Sequence, residues 1–174
     1  IRPPSISITG TSITRDLERG ESTLDGKVFK VQVRTKPSCT NEQMTELVKW
    51  KHFDKSQGFI MSIGTVNMKY DTPDVTIEKT ANLIREFKLA YPNTKLALTT
   101  LPHIRVSGLK PTIDQFKADT DEFNARLASL ADDYTDVIKV RYTDKMLLRD
   151  GIHLNSSGTK KLTSSMNKCL KQCF

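Results

Sequence analysis

A chain of 174 residues and 19.7 kDa is long enough for one compact domain and too short for two ordinary ones. With 37% hydrophobic and 27% charged residues it reads as a soluble globular domain over 1–174, which excludes a disordered tail or a fibrous repeat. Lys and Arg number 27 against 20 Asp and Glu, giving a net charge of +7 and a pI near 9.3; that balance favours an acidic partner such as nucleic acid, an anionic membrane surface or an acidic protein, without choosing among them.

No apolar stretch approaches the roughly 18 to 20 residues that span a bilayer, and no secretory signal opens the chain. Cys39, Cys169 and Cys173 are too few and too unevenly placed for a secreted disulfide framework. An intracellular, cytoplasmic setting is the expectation. The start at Ile1, without a methionine, suggests a processed chain or a domain excised from a longer protein. No metal-ligand cluster, phosphate-binding loop or dinucleotide fingerprint stands in the sequence, so neither a metal nor a cofactor is expected.

The β-branched run from Ser5 to Ile8, closed by Gly10, predicts a first strand, and Val28 to Val33 predicts a second by alternation. Asn41 is placed to cap a helix carrying Met44, Leu47 and Val48. Phe59 to Ile63, stopped by Gly64, predicts a buried third strand. A helix starting at Thr76 places Ile77, Ala81, Ile84 and Phe87 on one face. Leu96 to Thr99 predicts a fourth strand. The spacing of Ile113, Phe116, Thr120, Phe123, Leu127, Leu130 and Tyr134 predicts one long amphipathic helix. Val137 to Val140 completes the strands, and Leu162, Met166, Cys169, Leu170 and Cys173 mark a terminal helix after Gly158. Strands alternating with crossover-length helices predict a three-layer α/β/α sandwich on a five-stranded, mainly parallel sheet. In such folds the ligand site gathers at the carboxyl ends of the strands.

Reactive residues follow those ends in three places: Gly10-Thr11-Ser12, Gly64-Thr65-Val66-Asn67 and Asp150-Gly151-Ile152-His153-Leu154. A serine hydroxyl attacks an acyl carbon only when a positioned base takes its proton, and His153 is the natural base. Asp150, three residues earlier, is placed to hold its imidazole in one tautomer. Each residue alone has a plainer meaning: Ser12 as a helix cap, Asp150-Gly151 as a turn, His153 as a hydrogen-bonded loop histidine. Their order at strand ends argues for acyl transfer.

Asp150-x-x-His153-Leu154 followed by Gly158, Gly10-Thr11-Ser12 after the first strand, and Gly64-Thr65 after a hydrophobic strand together resemble the SGNH hydrolases, the GDSL-like esterases and lipases. The resemblance implies a flavodoxin-like fold, Ser12 as nucleophile, His153 as base and Asp150 as its orienting partner. Thr11 stands where that family usually has Asp. No glycine occurs between Arg34 and Thr40, where the family's second block has its oxyanion-hole glycine, and the resemblance implies Ser38 as the occupant of that position. Asn67 comes one place later than the family's asparagine, so the implied oxyanion donors are Ser12, Ser38 and, if its loop is remodelled, Asn67. Within the superfamily, the Ser12-Ile13-Thr14-Arg15 continuation, the compact size and the basic charge resemble the esterase-like domain in the first open reading frame protein of some LINE-type retrotransposons.

The expected function is therefore a cofactor-independent serine esterase acting on acyl esters or lipids, with short-chain esters as test substrates. The alternative is a catalytically degenerate domain retained to bind nucleic acid, lipid or protein. Lys160, Lys161, Lys168 and Lys171 are the candidate contacts for a nucleic acid or an anionic membrane, and the oligomeric state is left open. His103 is a lesser candidate for substrate contact, and His52 is expected to pack at a helix end.

Overall fold

In the computed structural model, which describes residues 4–18 and 29–174, the predicted strands form one sheet. They are β1 (Ser5–Gly10), β2 (Lys30–Thr35), β3 (Gly58–Ser62), β4 (Lys95–Thr99) and β5 (Thr135–Ile138). All pairings are parallel, in the order β2-β1-β3-β4-β5. The second strand begins at Lys30, and Val28 lies outside the described residues. Helices α1 (Arg15–Glu18), α2 (Asn41–Lys49), α3 (Thr65–Met68), α4 (Pro73–Ala90), α5 (Ile113–Ala128) and α6 (Ser156–Cys173) fill the connections.

Alternation along the central strands divides the interior in two. Phe59 and Met61 of β3 join Leu96 and Leu98 of β4 beneath α2, α4 and α5. Ile60 and Ala97 point the other way, joining Ile6 and Ile8 of β1 beneath Leu162, Met166 and Leu170 of α6. Every residue of β3 is buried, as a central strand covered on both faces must be.

Caps move several predicted helix boundaries. Thr40, rather than Asn41, caps α2 through a capping box: Thr40 Oγ1 accepts the Gln43 N–H at 3.1 Å, and Gln43 Oε1 accepts the Thr40 N–H at 2.9 Å. Thr72 caps α4, with Pro73 in the first turn where its missing N–H costs nothing, so that helix starts three residues before Thr76. Helix α5 ends at Ala128, leaving Leu130 and Tyr134 beyond it, and Tyr134 is 70% exposed. Among the described residues no helix is long and apolar enough to cross a membrane.

Candidate active site

The strand order sends the chain in opposite directions along the sheet after β1 and β3, and it is at the carboxyl ends of such a switch point that α/β folds place a ligand crevice. The loop after β1 is held tightly there. A Cβ on Gly10 would lie 2.5 Å from the Ser62 carbonyl oxygen, so only glycine fits against β3. The Thr11 N–H donates to that same Ser62 oxygen, and the Lys36 N–H donates to Gly10 O at 2.7 Å. Ser12 then opens a 3-10 turn (Ser12–Thr14) leading into α1; it lies inside the turn, and Thr11 holds the cap position. The Thr14 hydroxyl donates to Thr11 O and pairs with the Thr35 hydroxyl at 2.8 Å, tying this turn to the end of β2.

Asp150 and His153 are joined at the other end of the chain. Asp150 Oδ1 accepts the backbone N–H groups of Ile152 and His153 at 2.9 and 3.0 Å, while its Oδ2 lies 2.6 Å from His153 Nδ1. Partial burial opposes ionisation of Asp150, but these three bonds outweigh it and hold its carboxyl down at about 2. Gly151 makes the tight turn between them at φ +70°, where a Cβ would meet the Arg105 carbonyl oxygen at 2.5 Å. Asn155 caps α6 by accepting the Gly158 N–H, which fixes the loop to the helix that follows. Ser12 Oγ makes no hydrogen bond with His153; the side chains of both are half-buried.

Between β2 and α2, Ser38 is exposed and adopts φ +58°, a backbone state that favours glycine. Its N–H donates to no acceptor among the described residues, whereas the neighbouring Cys39 N–H closes a turn to Lys36 O. Burial pushes the Cys39 thiol up to about 11 despite Lys36 nearby, so it is held as an inert thiol in that loop.

Asn67 does not turn toward this crevice. Its Oδ1 accepts the buried Asn41 N–H at 2.8 Å, and its Nδ2 donates to Glu42 at 2.7 Å and Asp71 at 3.3 Å. Both amide hydrogens thus donate to carboxylates beside the start of α2. The cause is register: Gly64, at φ +120°, starts α3 directly, so Asn67 falls on the face of that turn that meets the start of α2. Lys79 completes the cluster with Asp71 and Glu42 at 2.9 and 3.1 Å.

His103, after β4, pairs with Asp121 of α5 at 2.5 Å. His52 packs edge-on to Phe53 and lies 2.9 Å from Lys36 Nζ. Lys161 and Lys168 line a groove beside β5, together with Lys139 and Arg141, whereas Lys160 and Lys171 lie outside it. Lys139 and Arg141 flank buried Val140, and this charge–apolar–charge alternation just after a strand was the sequence signal for them. Among the described residues no group of three or more His, Cys, Asp or Glu side chains is placed to hold a metal ion.

Solved structures share this architecture. A GDSL-like lipase of Bacteroides thetaiotaomicron superposes with a TM-score of 0.80 over 98% of this chain and 89% of its own, at 14% identity. This is the fold of the GDSL-like hydrolases. An inhibitor-bound aryl esterase of M. smegmatis matches at 0.72, with 14% identity, over 98% of this chain and 100% of that one. A family 3 carbohydrate esterase of Talaromyces cellulolyticus matches at 0.70, with 15% identity, over 97% of each chain. No protein-family model and no curated relative matches the sequence.

Proposed function

We propose that the protein is a serine esterase working through Ser12, His153 and Asp150. The observation that carries this reading is the 2.6 Å Asp150–His153 contact, anchored by two backbone N–H bonds at the carboxyl edge of the sheet. With Nδ1 facing Asp150, the imidazole presents Nε2 as the nitrogen that takes a proton. Ser12 Oγ attacks the ester carbonyl as His153 accepts its proton, and Asp150 stabilises the imidazolium. The imidazolium then protonates the leaving alcohol. Water enters, loses its proton to His153 and attacks the acyl carbon; the imidazolium then returns that proton to Ser12 Oγ as the acid leaves. The Ser12–His153 hydrogen bond forms as substrate orders the serine rotamer, since such bonds are commonly long or absent before a Michaelis complex.

The backbone N–H groups of Ser12 and Ser38 are the two donors assigned to the oxyanion. With Asn67 committed elsewhere, a third donor is missing, which slows the reaction by a factor of about 10²–10³ relative to a full oxyanion hole. The enzyme is accordingly slow, and short-chain esters suit its short connecting loops. The Ser12-Ile13-Thr14-Arg15 run and the basic charge support a narrower kinship with the esterase-like domain of LINE-type retrotransposon first open reading frame proteins.

Hydrolysis of p-nitrophenyl acetate by the wild type and by Ser12→Ala tests the assignment. A loss of at least about 10³-fold in kcat is expected, with burst kinetics in the wild type alone. Equal rates would remove Ser12 from the mechanism. The withdrawal of Asn67 favours the second reading, a binding domain on a hydrolase fold, and a wild type no faster than buffer would select it.

A further inference from the structure

We propose that the groove between β5 and α6 binds the sugar–phosphate backbone of a single-stranded nucleic acid. The groove has a volume of about 620 Å³ and runs along the outer edge of the sheet, where β5 has no strand neighbour. Lys139 and Arg141 stand on its strand side and Lys161 and Lys168 on its helix side, with Ser164 and Ser165 between the lysines.

None of these cations has a carboxylate partner among the described residues, whereas Lys79, Lys88, Lys95 and Lys110 elsewhere are each neutralised by an acid. The acid that does line the groove, Asp136, is itself held by Lys95 at 3.1 Å. The field in the groove is therefore positive. Lys139 and Arg141 follow β5 two residues apart, which puts their Cα atoms at most about 7 Å from each other. Lys161 and Lys168 lie two helical turns apart, about 10.5 Å. Both rows are longer than one phosphate group, so the ligand that meets all of these cations is a chain of anions.

Shape and lining select the kind of chain. A bilayer is flat and gains from inserted apolar side chains, but Trp50, Leu89 and the other exposed large hydrophobics lie outside the groove. The short edge of β5, Thr135–Ile138, offers few backbone pairs to an added peptide strand. No exposed aromatic lines the groove, so bases have no stacking platform, and binding is sequence-independent and electrostatic.

The salt dependence is then fixed by the number of cations. For a single strand, four phosphate contacts give a slope of log Kobs against log[salt] of about −2.8. Fluorescence anisotropy with a labelled oligo(U) 20-mer measures it on the wild type and on two variants of equal charge, Lys139→Gln/Lys168→Gln and Lys160→Gln/Lys171→Gln. On a helix turning about 100° per residue, Lys160 and Lys171 share a stripe rotated away from Lys161 and Lys168. The groove pair is expected to weaken binding at least tenfold at 100 mM salt and to reduce the slope by about 1.4, while the off-groove pair changes affinity less than twofold. Melting temperatures within a few degrees of wild type establish that both variants fold. Ser12→Ala is expected to bind oligo(U) like wild type whatever its esterase rate, which separates this proposal from the catalytic one. Equal losses in both pairs, absent binding, or tighter binding to phosphatidylserine vesicles or poly-glutamate than to oligo(U) overturns it.

Discussion

At Ser38 the chain turns through φ +58°, and a Cβ there carries a steric cost of about 1–2 kcal/mol that glycine avoids. Glycine gives back part of that through its freer unfolded state, about 0.5–1 kcal/mol. Ser38→Gly is therefore expected to raise stability by roughly 0.5–1 kcal/mol in urea unfolding. It should also leave ester hydrolysis within a few-fold, because the proposed donor is the backbone N–H and survives the change. A large loss of activity with unchanged stability would mean that the hydroxyl itself contributes. At Asp150 the sign of the pH dependence follows from its depressed carboxyl. The group ionises at about 2 when folded and at about 3.9 when unfolded. Its bonds to His153 and to the two backbone N–H groups therefore contribute fully above about pH 4 and vanish as pH falls through 2. Asp150→Asn lacks that ionic part, so the gap between its urea midpoint and that of the wild type should narrow from pH 6 to pH 2.5. At neutral pH the same variant should lose about 10³–10⁴-fold in kcat, by the usual effect of unseating the base's tautomer. A gap that widens on acidification would contradict the assigned hydrogen bonds.

Short turns carry the site, and helix α3 shows how much one of them decides. Asn67 bridges Asn41, Glu42 and Asp71, so Asn67→Ala strands the buried Asn41 N–H and should cost about 1–3 kcal/mol in stability. Initial rates per folded molecule should stay within twofold. A hundredfold fall in rate at unchanged stability would return Asn67 to the oxyanion site. The contrast explains what the sequence could convey. Asp150-x-x-His153 was legible because its geometry is local: three residues around one glycine turn determine the contact. Gly10-Thr11-Ser12 was legible as a strand end for the same reason. Asn67 was not, because its direction depends on a partner at Asn41, 26 residues earlier. Ser38 is placed in the oxyanion loop only by the family resemblance, and its left-handed backbone is visible only once Lys36 is tied to Gly10 and Thr40 has capped α2. The existence of each strand was legible because buried β-branched and aromatic runs differ from amphipathic periods, although β5 runs Thr135–Ile138, two residues before the expected Val137 to Val140. Helix starts at Thr40 and Thr72 were missed because a cap is decided by one side-chain hydrogen bond, while the apolar stripe begins later.

Across the whole molecule, the tight aromatic packing and the candidate site lie at opposite ends of the sheet. Phe53, Phe59, Phe87 and Tyr91 meet edge-on or tilted at centroid distances of 5.1 to 6.3 Å. The Tyr91 hydroxyl accepts the Phe53 N–H and donates to Phe53 O, closing the segments that lead into β3 and β4. This cluster lies where the central strands begin, whereas Ser12, Asp150 and His153 lie beyond where strands end. At about 3.3 Å per residue, a strand such as Gly58–Ser62 puts well over 10 Å between the two ends. Packing defects at the near end relax locally, since rigid strands intervene. Phe87, 1% exposed, is the ring shared by Phe59 and Tyr91. Phe87→Leu removes those ring contacts and leaves a partial void, so a loss of roughly 1–3 kcal/mol is expected from urea unfolding. Turnover of p-nitrophenyl acetate in the absence of urea should remain within twofold of wild type, because the Asp150–His153 contact and the Ser12 turn rest on other partners. If kcat fell tenfold while the protein remained folded, the aromatic end would be coupled to the site through the sheet, and α4 would have to be counted among the elements that position it.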